Sequence, residues 1–232
     1  MTQIPVPPSP LLASRRHTLI FLAILAAVAA WGAASQQRFG GGAAALTPAA
    51  KWAAYVSVVV LQLLLVRFVV LGIRKNGRSL RDLLGDLSTT PRRAVTDLLL
   101  AAGFLGASLV LSPLLGAALG IREDIARVIG PSGPAQTAAW ILVCLAAGAG
   151  EEISFRGYLQ GQFAQMTSSM PVAVLLQAAV FSVAHSYQGW RPALLAGAYG
   201  LAFGALAAAR KSLRPGILAH TLVDVIGGIF TR

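Results

Sequence analysis

Long, unbroken apolar runs, each closed by charge or by glycine and proline, set the pattern of this chain. Seven can be marked, at 18–34, 52–73, 95–119, 137–160, 171–186, 192–209 and 216–230. None alternates apolar and polar positions with a period of two, so they read as helices and not as barrel strands. Most approach the ~20 residues an α-helix needs to cross a bilayer, while the fifth and seventh are short. The expected fold class is all-α, a polytopic transmembrane helical bundle of about seven spans.

Composition agrees. Across 232 residues, 56% are hydrophobic and 12% charged, and the mean hydropathy is +0.70. The net charge of +11 does not point to nucleic acid, because the basic residues flank the apolar runs instead of forming a patch with aromatics. The positive-inside bias accounts for them. Six lie between 74 and 93, which marks that loop as cytoplasmic. Adding Arg15, Arg16, Arg210, Lys211 and Arg214 places eleven inside, against six outside: Arg38, Lys51, Arg122, Arg127, Arg191 and Arg232. The N-terminus is thus expected in the cytoplasm, and the bilayer is the one certain partner. Within the basic loop, 79–87 carries leucines on one helical face and charges on the other, as either a helix lying on the membrane surface or an ordinary solvated loop helix would. Residues 1–17, with four prolines, read as a disordered tail. Arg15-Arg16 before the first run and Ala33-Ala34-Ser35 after it also fit a removable signal, which the spans that follow make unnecessary. Cys144 is the single cysteine and lies inside a run, so no disulfide framework exists.

The informative polar residues cluster in the last four runs. Glu151 and Glu152 are adjacent carboxylates inside the fourth, where an ionised group costs ~2.5–3.5 kcal/mol at mid-membrane. Such residues face an interior partner or cavity. His185 and His220, two of the three histidines, follow on later runs. The fourth and fifth helices should form a hairpin turning at Thr167-Ser168-Ser169. Glu151 and His185 lie equally far in sequence from Ser168, which places them at one depth if both helices rise ~1.5 Å per residue. His220 comes only four residues after Gly216, so counting leaves it nearer the cytoplasm unless the last helix tilts or starts unwound. Glu152 and Arg156 are four apart and share a face, as an ion pair requires. Glu151 is rotated ~100° from Glu152, toward the cavity. Phe181, one turn before His185 on the same face, would form a wall for an apolar substrate. His220 and Asp224 again share a face. Glu151, His185, His220 and Asp224 could alternatively ligate zinc, although no His-Glu-x-x-His pair is present.

Glu-Glu-x-x-x-Arg, Phe-x-x-x-His and His-x-x-x-Asp, in this order on successive helices, resemble the CPBP family of CAAX-type proteases and bacteriocin-processing or immunity (Abi) proteins. The resemblance covers about 137–228. It divides the chain into a tail (1–17), variable N-terminal helices with a basic cytoplasmic loop (18–135) and a CPBP-like core (136–232). It implies an intramembrane endopeptidase without a cofactor. Glu151 would be the general base, His185 would help hold the water, and His220 with position 224 would stabilise the oxyanion. Glu152, Arg156 and Phe181 would shape the site. The family often has Asn where this chain has Asp224, and an ionised Asp donates no hydrogen bond. Substrates would be membrane-anchored or lipid-modified proteins or peptides, C-terminal sorting signals among them, and the Pro- and Gly/Ala-rich composition fits a bacterial inner membrane. Two other readings keep the same residues: a transporter or channel with a Glu/His relay, or a non-enzymatic immunity protein of this fold. No inverted repeat supports the former.

Overall fold

The computed structural model describes residues 11–38, 46–87, 90–121 and 128–230, and among these the fold is an all-α polytopic bundle. The helices are α1 (Arg15–Arg38), α2 (Pro48–Arg74), the short α3 (Leu80–Leu84), α4 (Pro91–Leu119), α5 (Pro134–Glu151), α6 (Gln160–Thr167), α7 (Met170–Ala184), α8 (Trp190–Arg210) and α9 (Arg214–Phe230). A π-helical segment, Glu152–Leu159, joins α5 to α6 without a break. Five helical stretches are long and apolar enough to cross a membrane: α1, α2, α4, the continuous Pro134–Thr167 and α8. The fifth and seventh expected crossings are the shorter α7 and α9, of 15 and 17 residues. Residues 122–127, expected in an outer loop, most of the Gly/Ala-rich loop and Arg232 lie outside the described residues, as does the side chain of Arg38.

Local chemistry sets the helix ends. Thr47, Thr90 and Ser169 each cap a helix that begins with proline in its first turn, their side-chain oxygens accepting from Ala50, Arg93 and Val172 backbone N–H groups. Proline loses nothing there, since its missing N–H would have had no intrahelical partner. The hairpin expected at 167–169 is present: Ser168 adopts a left-handed conformation (φ 55°) that stops α6, and Ser169 starts α7.

Small residues let the helices touch. Where α9 meets α5 and the π segment, Gly148 lies against Thr221, Gly228 against Trp140 and Gly216 against Glu152. Between α7 and α8, Gly197 and Gly200 face Ser182 and Ala178. Close backbone approach of this kind is how helices associate in lipid, where burial of leucine gains nothing. Polar ties fix the ends. Asp97 of α4 accepts from Arg210 (2.7 Å) and pairs with Arg214 (2.9 Å). Lys51 of α2 donates to the Gly130 carbonyl (2.6 Å) and to Ser132 (2.9 Å).

Two sequence expectations change here. Residues 11–14 are not part of a free tail: Ala13 is fully buried, and its N–H and C=O pair with Oε1 and Nε2 of buried Gln162 (3.2 and 2.8 Å). Residues 1–10 lie outside the described residues. The leucine face at 79–87 does not lie on lipid either. Leu83 is buried, Leu80 and Leu84 pack on the same core, and Gly85 pairs with Ser212. Leu83 packs on Gly157 of the π segment together with Leu213, whose N–H donates to the Leu84 carbonyl (3.0 Å).

Candidate active site

Glu151 is the last residue of α5, and Glu152 opens the π segment. Here i→i+5 bonding inserts an extra residue into the turn, a feature frequent at functional sites. The assumption of a regular fourth helix therefore fails at this point. Seven of the eight π residues are buried, and Gly157, the exception, lets Leu83 and Leu213 come within about van der Waals contact. With the wider turn, positions four apart lie almost directly above one another. Arg156 Nη1 accordingly reaches 3.1 Å from Glu152 Oε1, both side chains fully buried.

Phe181 packs behind this pair. Its ring meets Phe155 edge-on, and the Arg156 guanidinium lies over its face at 4.3 Å and over Phe203 at 5.2 Å. At 3% exposure Phe181 supports the site from behind and offers no open wall. His185 caps α7, one residue beyond the helix, with φ −95° and ψ 3°. Its Nδ1 lies 2.8 Å from the Phe181 carbonyl. A carbonyl only accepts, so Nδ1 carries the proton in that contact. Nε2, 4.0 Å from Glu151 Oε2, then presents a lone pair to the space between the two side chains.

His220 stands between the carboxylates. Its Nδ1 is 3.0 Å from Glu152 Oε1, and its Nε2 is 3.6 Å from Glu151 Oε2 and 3.7 Å from Asp224 Oδ2. The ring stacks on Phe203 with centroids 4.9 Å apart. Counting along the chain left His220 too close to the cytoplasm, and no unwinding closes the gap, because α9 is helical from Arg214. The helices meet closely at Gly216, where a Cβ would stand 3.0 Å from Glu152 Oε2. Without a side chain there α9 settles onto the π segment, and His220 stands beside both glutamates.

Glu151, Glu152, Arg156, Phe181, His185, His220 and Asp224 thus come together in one place. Exposure is graded across them: Glu152 and Arg156 are closed off, His220 is 9% exposed, Glu151 15%, His185 19% and Asp224 33%. Among the described residues, no group of three His, Cys, Asp or Glu side chains is arranged to hold a metal ion. One participant lies outside the motifs. Gln62 of α2 donates from Nε2 to Glu151 Oε1 at 3.1 Å, whereas the sequence places the informative polar residues in the last four runs. Its signal was a lone amide inside Val58-Val59-Val60-Leu61-Gln62-Leu63-Leu64-Leu65.

Chemically, the group is a buried carboxylate balanced by a guanidinium, and a second, partly buried carboxylate with two imidazoles facing it. No curated protein and no solved structure matches the chain. Residues 133–226, the span that carries all three motifs, do match one family, and there the chain is similar to the Rce1-like type II CAAX prenyl endopeptidases.

Proposed function

We propose that this protein is an intramembrane endopeptidase that hydrolyses a peptide bond in a membrane-anchored, lipid-modified protein or peptide. The observation that carries the reading is the gap between Glu151 Oε2 and the two Nε2 atoms, 4.0 Å to His185 and 3.6 Å to His220. The His185 separation is too long for a direct hydrogen bond and suits one bridging water. That water donates one hydrogen to the Glu151 carboxylate and the other to the His185 lone pair, with its own lone pair turned to a substrate carbonyl. Glu151 accepts the proton as the water attacks, and returns it to the leaving amine.

The resulting oxyanion needs donors in a site shielded from water. In its imidazolium form His220 donates from both nitrogens: Nδ1–H to Glu152, and Nε2–H toward the space beside Glu151 and Asp224. Glu152, held by Arg156, orients that ring. Asp224 sits at the open edge, where in its protonated form it donates to the same oxygen. The basic residues at 74–93 support a cytoplasmic placement of that loop.

The test uses the full-length protein in lipid vesicles with fluorogenic peptides carrying a C-terminal farnesylated Cys-aliphatic-aliphatic-X sequence, and with acylated counterparts. The intact protein is expected to cleave a lipidated peptide and spare its unlipidated form. Glu151→Gln and His185→Ala are each expected to abolish cleavage while still accumulating in the membrane. Cleavage by Glu151→Gln near the unmodified rate removes the general-base assignment.

A further inference from the structure

Glu151 has a partner from the part of the chain that carries no motif. Gln62 is 7% exposed on α2, in an otherwise apolar turn. An amide buried in such surroundings is costly unless it is hydrogen-bonded. Among the described residues its Nε2 bonds to Glu151 Oε1 and its Oε1 has no hydrogen-bond partner. The amide is thus committed to the carboxylate. The approach depends on Gly150, where a Cβ would stand 2.6 Å from Gln62 Oε1 and 3.0 Å from Gln62 Cβ. Gly148, two residues earlier and on another face, makes the matching room for Thr221 of α9. The residues just before Glu151 therefore let two helices close on α5, one from each part of the chain.

The carboxylate's two oxygens are then divided. Oε1 is held by Gln62, and Oε2 is left to His185 and His220. The terminal torsion of a glutamate is broad and soft, so a carboxylate held on neither oxygen turns freely. We propose that Gln62 is a positioning residue for Glu151, locking the plane of the carboxylate so that Oε2 alone faces the attacking water. This rests on the endopeptidase reading above. Arg156 and Glu152 are occupied with each other and with His220, and Asp224 stands 3.7 Å from His220 Nε2 on the far side. None of them takes over the contact with Oε1.

Gln62→Met keeps the length and shape of the side chain and removes the donor, and it makes α2 more apolar, so insertion is not impaired. Two measurements are made on the purified full-length protein in lipid discs. The first is the infrared carboxylate band of Glu151, identified by its loss in Glu151→Gln. The second is steady-state cleavage of whichever lipidated peptide the intact protein accepts. We expect the band to shift in Gln62→Met, kcat to fall about ten- to a hundredfold, and KM to stay within about twofold, as misplacement of a reacting group dictates. Gln62→Asn keeps the amide on a stem one methylene shorter and should behave in the same way, which covers poor accumulation of the Met variant. A purely structural tie between α2 and α5 leaves kcat unchanged, and that result overturns the proposal. So does a fall in kcat with an unshifted band, since Gln62 then acts elsewhere. A band shift in a protein that cleaves none of the peptides leaves the Gln62–Glu151 contact standing and removes the endopeptidase reading instead.

Discussion

Arg156→Met is the sharpest test of how the site is held. The guanidinium is fully buried, 3.1 Å from a fully buried Glu152 carboxylate and over the faces of Phe181 and Phe203. The contact with Glu152 is not a well-aligned hydrogen bond, so attraction between charges and ring faces carries it. Removing the cation leaves Glu152 charged in an apolar interior with only His220 to face it, a defect worth ~3–5 kcal/mol for buried pairs. The lost ring contacts add to this by up to ~2 kcal/mol, partly returned by methionine's own packing. For a chain of this size each kcal/mol moves Tm by ~2–4 °C, so the variant should melt ~6–20 °C lower. The assay is thermal unfolding followed by circular dichroism in a mild detergent. Adding Glu152→Gln removes the stranded charge, and the double variant should regain more than half of the loss. A single variant melting within ~2 °C of the unmodified protein refutes the reasoning, as does a double variant no better than the single one.

Asp224→Asn separates two roles for the edge of the site. Asn supplies an N–H₂ donor without needing a proton, so activity should persist or rise, most visibly at higher pH, and a chelator should have no effect; a large loss together with zinc-dependent rescue overturns this mechanism in favour of a metalloprotease. Gly148→Ala should lower both Tm and cleavage, because the new Cβ stands 2.5 Å from Thr221 Oγ1 and 3.0 Å from its backbone nitrogen, and overpacking of this kind costs ~1–3 kcal/mol. Gly103→Ala, which meets nothing within 4 Å, is the control, and equal behaviour of the two variants in melting and peptide cleavage denies the close α5–α9 contact.

Several features of the fold and site were legible because their causes are local. Continuous apolar runs define spanning helices whatever packs around them, since every backbone polar group in lipid must be satisfied within its own helix. The hairpin at Ser168 follows from polar turn residues between two such runs. The pairs Glu152–Arg156 and His220–Asp224 follow from spacing, because residues four apart on a helix are neighbours in any fold. The rarity of charge at such depth was enough to single out Glu151 and His185.

Other features depended on what each segment meets. Nothing in the order of residues connects Gln62 to Glu151; α2 delivers it across the width of the bundle, and only the absence of a side chain at Gly150 lets it arrive. The π turn at Glu152–Leu159 is a change of hydrogen-bond register that i→i+4 periodicity in the sequence does not announce, since such turns are rare and appear mostly as single turns, frequently at functional sites. The amphipathic stretch at Leu80–Leu84 carried a face suited to lipid and to protein alike, and Gly157 and Leu213 took it. His220 was not expected beside Glu151 because counting along one helix measures distance from its own end, whereas its neighbours depend on where α9 packs against the π segment. Sequence determined which residues could do chemistry in this protein; contacts between helices decided which of their atoms face one another.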